Sequence, residues 1–320
     1  MECEKKELKK QVNRVALGIF LYNVILYLVL LADIIIKCVR LFMNYQSGPE
    51  LDQKFEQLSN SIMYYGGSSI AGIFAGFLFL LFYFRKAKLR HRIFDCTRKP
   101  TVSEFCQILV VFLSAQFLFS LFSTGAEYGL NRLGYSMIGD IEAASGNSST
   151  ISMFLYASFF GPVAEELVYR GFVLRSLERY GKVFTIVVSS VLFGVMHANL
   201  TQGVFAFFVG LILAYVALEY SIYWSLLLHI LNNCILSELW GYAVSCFPDT
   251  VQPVLGWGLL SVFFVGGCLI LWKNRQVLAA YRKEHLVKRN YYKYAFTSVW
   301  MILFLTICFL LSILGIEKIS

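Results

Sequence analysis

Charge is scarce in this chain. Acidic and basic residues make up 15% of its 320 residues, against 58% hydrophobic and 17% aromatic, whereas soluble domains are about a quarter charged. That balance excludes an ordinary soluble domain and points to a polytopic membrane protein. The net charge is +8, but the basic residues cluster between apolar segments, where they set membrane topology. No nucleic-acid partner is expected. The eight cysteines (3, 38, 96, 106, 234, 246, 268 and 308) contain no CxxC pair and no zinc-knuckle spacing. Most lie in apolar segments, where cysteine behaves as a small hydrophobe, so no disulfide framework is expected. No cleavable leader is expected either. The opening MECEKKELKKQVNR is too long and charged for a signal n-region, and the apolar run after it exceeds an h-region, so the first segment is expected to remain as a membrane helix. There are no internal repeats.

What the chain has is apolar stretches, and about 20 such residues cross roughly 30 Å of hydrocarbon. Candidates lie near 15–39, 66–84, 104–123, 151–174, 183–199, 202–218, 222–241, 253–272 and 295–316. Basic clusters follow in alternation: Lys5 to Arg14 before the first, Arg85 to Lys99 after the second, Arg175 to Lys182 after the fourth, and Lys273 to Lys293 after the eighth. The opposite loops, such as SGPELDQKFEQLSNS and GDIEAASGNSST, are acidic or neutral. The expected fold is therefore all-α, a polytopic transmembrane bundle of eight to nine helices with a cytoplasmic N-terminus. In the eight-helix alternative one weak segment is re-entrant. Asp33, four residues before Lys37, is expected to be a paired charge, and Gly203 and Gly210 to allow close helix packing.

Polar groups at membrane depth are costly, about 2.5–3.5 kcal/mol per charge on insertion scales. The sequence nevertheless places EELVYR (165–170), FGVMH (193–197) and HILNN (229–233) inside apolar segments. Residues four apart share a helix face, so Glu166 can pair with Arg170, Phe193 lies beside His197, and His229 beside Asn233. Glu165 has no such local partner. Glu165 and His197 each stand 16 residues from Gly181, the turn of a hairpin, or about 24 Å along either arm at the α-helical rise. His229 and Asn233 lie nine and thirteen residues past Tyr220, about 14 and 20 Å into the next arm. One acid, two imidazoles and an amide can thus converge inside the membrane.

Such a set supports peptide hydrolysis. A carboxyl in an apolar site is pushed towards the range useful for a general base. Glu165 with His197 can position and deprotonate a water, with or without a metal, and His229 and Asn233 can donate to the developing oxyanion. Glu165, His197 and His229 also make a zinc set, although no HExxH is present.

At these residues the sequence resembles the CPBP family, the CAAX-protease and bacteriocin-processing (Abi) intramembrane peptidases, which carry EExxxR, FxxxH and HxxxN on successive membrane helices. The likeness covers roughly 155–240, including PVAEELVYRGFVLRSL and WSLLLHILNN. The resemblance implies a catalytic set of Glu165, His197, His229 and Asn233, with Glu166, Arg170 and Phe193 supporting. It implies an intramembrane endopeptidase, often labelled a metalloprotease, acting on a membrane-associated peptide or protein: a CAAX-type substrate, a bacteriocin precursor or another membrane substrate. The organisation expected is N-terminal membrane helices over 1–124, a non-cytoplasmic loop over 125–150, the catalytic core over 151–245 and C-terminal membrane helices over 246–320, in a bacterial cell membrane. The alternative is a non-catalytic membrane regulator or bacteriocin self-immunity protein that binds a membrane partner. A proton-coupled transporter is a third reading, without the paired repeats or broken helices that would support it.

Overall fold

The structure is a computed structural model that describes residues 2–45, 48–85, 89–144, 148 and 150–319. Nearly all of them are helical; eight of the nine expected segments each fall on one helix, and 295–316 falls on two, bent by 67°. The helices are α1 (Glu2–Asn44), α2 (Pro49–Tyr64), α3 (Gly67–Tyr83), α4 (Val102–Asn131), α5 (Ile138–Ala144), α6 (Ile151–Tyr180), α7 (Lys182–Val195), α8 (Leu200–Glu219), α9 (222–245), α10 (Gln252–Lys273), α11 (Arg275–Glu284), α12 (Arg289–Phe296) and α13 (Val299–Leu314). A short helical turn, Arg90–Ile93, precedes α4.

Among the described residues, α1, α4, α6, α8 and α10 are long and apolar enough to cross a membrane. The pair α12 and α13, bent by 67°, would make a sixth. Helices α3 and α7 are apolar but have only 17 and 14 residues, about 26 and 21 Å against roughly 30 Å of hydrocarbon. The bundle is that of an integral membrane protein. Length and composition qualify five or six helices as spans, fewer than the eight to nine expected.

Local signals fix the helix starts. Thr101 and Glu104 form a capping box at α4, each side chain meeting the other's backbone N–H, which satisfies two otherwise orphaned donors. Pro49 opens α2 inside a stretch expected as loop, with Glu50 and Asp52 in its first turn, where acids favour the positive helix end. Gly181 turns the chain between α6 and α7 at φ 117°, a conformation that glycine adopts without steric cost.

Helix α4 packs along α10, α7 along α8, and α1 along α3. One buried cluster joins them, running from Leu8, Val12 and Ile19 on α1 through Phe84 and Phe112 to Phe172, Phe193 and Leu213. The expected glycine contacts are present: Gly203 abuts Gly194, and Gly210 lies against Phe193 and Ser190. Asp33 pairs with Lys37 at 2.6 Å and accepts from Ser68.

The basic clusters collect at one end of the bundle. There Arg179 bonds Glu7, Arg92 bonds Glu178, and Lys182 bonds Glu219. At the other end Tyr135–Ser136 (β1) pairs antiparallel with Glu317–Lys318 (β2), Ser148 donates to Glu238, and Asn199 donates to the carbonyl of Asp140.

Candidate active site

Helix α6 brings the first carboxylates, and it is not uniformly α-helical. Its backbone widens to π-helix over Tyr156–Phe160 and again over Glu166–Leu174, and α9 does the same over Leu231–Trp240. These i to i+5 turns are rare and concentrate at functional sites. Here they coincide with EELVYR and with the segment that follows His229.

Glu166 is completely buried. Its Oε1 lies 3.3 Å from Arg170 Nη1 and 3.0 Å from His229 Nδ1, while its Oε2 accepts from Ser225 Oγ. The expected Glu166–Arg170 pair is thus present, but the carboxylate also serves α9. Arg170 is buried as well, and its guanidinium lies over the Phe193 ring at 4.2 Å from the centroid rather than in aligned hydrogen bonds. A desolvated cation over a ring gains about 2 kcal/mol.

Spacing places Glu165 beside His197. The structure instead pairs it with His229, whose Nε2 lies 3.6 Å from Glu165 Oε2, and the Glu165 side chain retains 23% of its exposure. His229 is therefore held between two glutamates, its Nδ1 towards Glu166 and its Nε2 towards Glu165. A carboxylate only accepts, so the bond to Glu166 assigns a proton to Nδ1. His197 follows α7 in the turn to α8, next to Ala198 at φ 49°. Its Nδ1 lies 2.8 Å from the Phe193 carbonyl, which assigns the proton to Nδ1 there too and leaves Nε2 as the acceptor in the neutral ring. Both imidazoles stand edge-on to Phe193, with centroids at 5.1 Å (His197) and 5.9 Å (His229). Phe193 is the joint of the site, touching both histidines and Arg170.

The register expected for the hairpin is present a turn away. Tyr169 and Phe193 lie twelve residues on either side of Gly181, and their rings stand 5.2 Å apart.

Asn233 is bonded between two helices in this structure. Its Nδ2 donates to the Ala157 carbonyl at 3.0 Å, and its Oδ1 accepts from Asn232, whose own Oδ1 accepts from Gln116 at 2.7 Å. It is bound into a tie between α9 and α6. Among the described residues, no group of three or more His, Cys, Asp or Glu side chains is placed to hold a metal in this structure. Only the Nδ1 of each histidine is engaged, by Glu166 or by the Phe193 carbonyl, an arrangement that metal-ligating imidazoles also use.

Residues not singled out from the sequence complete the site. Ser225 is four residues before His229 on the same face of α9, a spacing that could have revealed it. Asn232 and Gln116 gave no such signal, being neighbours only across helices.

Residues 147–235 match the family model described as type II CAAX prenyl endopeptidase Rce1-like. Over this segment, which is less than a third of the chain, the sequence is similar to that family. The match contains EELVYR, FGVMH and HILNN, every residue of the candidate set. No curated protein and no solved structure matches it.

Proposed function

We propose that the chain hydrolyses a peptide bond in a membrane-associated peptide or protein, with Glu165 as general base and His197 and His229 as its partners. The observation that carries this reading is the Glu165–His229 pair, backed by fully buried Glu166. Glu165 keeps partial exposure, as a group that must meet water requires, while Glu166 is sealed behind it and orients the imidazole.

The proton path follows from the assigned tautomers. A water held by Glu165 and by the acceptor Nε2 of His197 attacks the scissile carbonyl carbon as its proton passes to Glu165. Transfer to His229 Nε2, 3.6 Å away, makes an imidazolium flanked by two carboxylates. That ring can then donate to the oxyanion and finally give the proton to the leaving nitrogen, restoring the starting state. Asn233 is a positioning residue in this scheme, and every step runs through protons.

CAAX-type prenylated termini are the substrate that the family description carries, and bacteriocin precursors are the other candidates. The test compares membrane peptides from cells making wild-type protein or Glu165→Gln. Products present only with wild type are expected, and their ends identify the substrate. Identical peptide profiles, with both proteins inserted equally, would refute proteolysis and leave the regulator or immunity reading. Zinc assayed in an active purified preparation tests the metal-free path. The expected content is well below one ion per chain, and a stoichiometric ion lost in His197→Ala would overturn the path.

A further inference from the structure

The segment after α10 belongs to no part of the proposed chemistry. Between residues 273 and 293 it carries seven Lys or Arg and one Glu. Within it α11 is almost wholly exposed apart from Tyr281. Tyr281 turns inward: its hydroxyl donates to Glu219 Oε1 at 2.7 Å, and its ring lies 5.4 Å from that of Tyr215. This one side chain fixes the rotation of α11.

With Tyr281 as the pin, α11 divides into two unequal sides. Val277 (67% exposed) and Leu278 (43%) flank the pinned face, while Arg275 and Arg282, seven residues apart, share another, with Lys283 beside them. Trp272, 69% exposed, ends α10 immediately before this helix, and the Arg275 guanidinium sits over its ring at 4.7 Å while donating to its carbonyl. Tryptophan at a span end marks the membrane–water border. A basic amphipathic helix, too polar to enter the hydrocarbon and joined there across Asn274, has the form of an element that lies in the interface.

We propose that α11 is an interfacial docking helix for anionic phospholipid headgroups. Arg275, Arg282 and Lys283 meet the phosphates, while Trp272, Val277 and Leu278 enter the acyl boundary. Charge selects the partner, because a polybasic juxtamembrane segment gains from each cation near an anionic surface, whereas zwitterionic headgroups offer no net charge. The link from Tyr281 to Glu219, which also accepts from Lys182 at 2.8 Å, ties the docked helix to the first residue of α7.

The test uses the full-length protein in neutral detergent, titrated with short-chain phosphatidylglycerol, phosphatidylcholine or inorganic phosphate. The readout is hydrogen exchange of the 275–284 amides. Phosphatidylglycerol alone is expected to protect them. Arg275→Gln/Arg282→Gln/Lys283→Gln should raise its half-saturating concentration on the order of a hundredfold, from three lost cations, without changing thermal unfolding in lipid-free detergent. Equal protection by phosphatidylcholine, protection by inorganic phosphate alone, or an unshifted titration in the triple variant would each overturn the proposal. The readout is independent of whether the chain cleaves peptides.

Discussion

Glu166 is the residue on which the site depends, because it joins an ion pair, a serine hydroxyl and an imidazole at complete burial. Removing one partner of such a pair leaves an uncompensated charge and costs about 3–5 kcal/mol, whereas replacing both by apolar groups can be neutral. Arg170→Ala is therefore expected to lower thermal stability severely, and Glu166→Leu/Arg170→Met to recover much of it while remaining inactive, since nothing then orients His229. Recovery of peptidase activity in the double variant would show that Glu166 is only structural. Asn233 separates two roles. An oxyanion donor would cost roughly two to three orders of magnitude in turnover when removed, whereas the bonds seen here, to Ala157 and from Asn232, make it a tie between helices. Asn233→Ala should lose about 1 kcal/mol of stability and retain far more turnover than His229→Ala. Parallel melting and rate measurements on the two variants decide between these roles.

At the scale of elements, the site is a corner where α6, α7 and α9 meet on Phe193, and Gly210 of α8 makes room for it. A Cβ at Gly210 would stand 3.1 Å from Phe193 Cδ1. Gly210→Leu must therefore push the ring aside, overpacking that costs about 1–3 kcal/mol. Because His197, His229 and Arg170 all lean on that ring, displacement by about 1 Å should cut turnover on the order of a hundredfold. Membrane insertion should be unchanged; equal activity of Gly210→Leu and wild type would show that Phe193 does not set the histidines. Much of this was legible in the sequence. Long apolar runs give the apolar helices because hydrophobicity alone demands burial in lipid or core, and four-residue spacing gives Glu166–Arg170 and Phe193–His197. The partner of Glu165 was not legible. It comes from another helix, and the π-helical turns of α6 and α9 shift side-chain directions away from the α-helical wheel without leaving a mark on composition. Ser225 could have been found from its spacing to His229, whereas the role of Asn233 required knowing that Ala157 faces it.

Across the whole molecule, the end opposite the basic clusters closes through the C-terminal segment. Strand β2 pairs with β1, Ile319 donates to the Gly134 carbonyl, and the Asp140 carboxylate packs against Gly315. The Asp140 carbonyl holds Asn199, whose side chain caps α8 two residues after His197. Burial, and then the nearby Glu317 carboxylate, raise the Asp140 carboxyl above its ordinary value. For an acid raised in the folded state the stabilising contribution is complete below the unfolded pKa, about 3.9, and is lost as pH climbs through the folded value. The clasp should therefore be tightest in acid and loosen as Asp140 ionises towards Glu317. Hydrogen exchange at Ile319, corrected for the intrinsic pH dependence of exchange, should show protection that falls with rising pH in wild type. In Asp140→Asn, where the raised carboxyl is gone and Glu317 no longer meets a charge at that position, protection should fall much less over the same range. Protection that rises with pH in wild type, or falls equally in Asp140→Asn, would show that another group governs the clasp. Other carboxylates move global melting, and Glu127, which accepts from Ser136 and Met137 beside β1, is held below its ordinary value by those bonds, so the measurement is made at the tail itself with Asp140→Asn as the control.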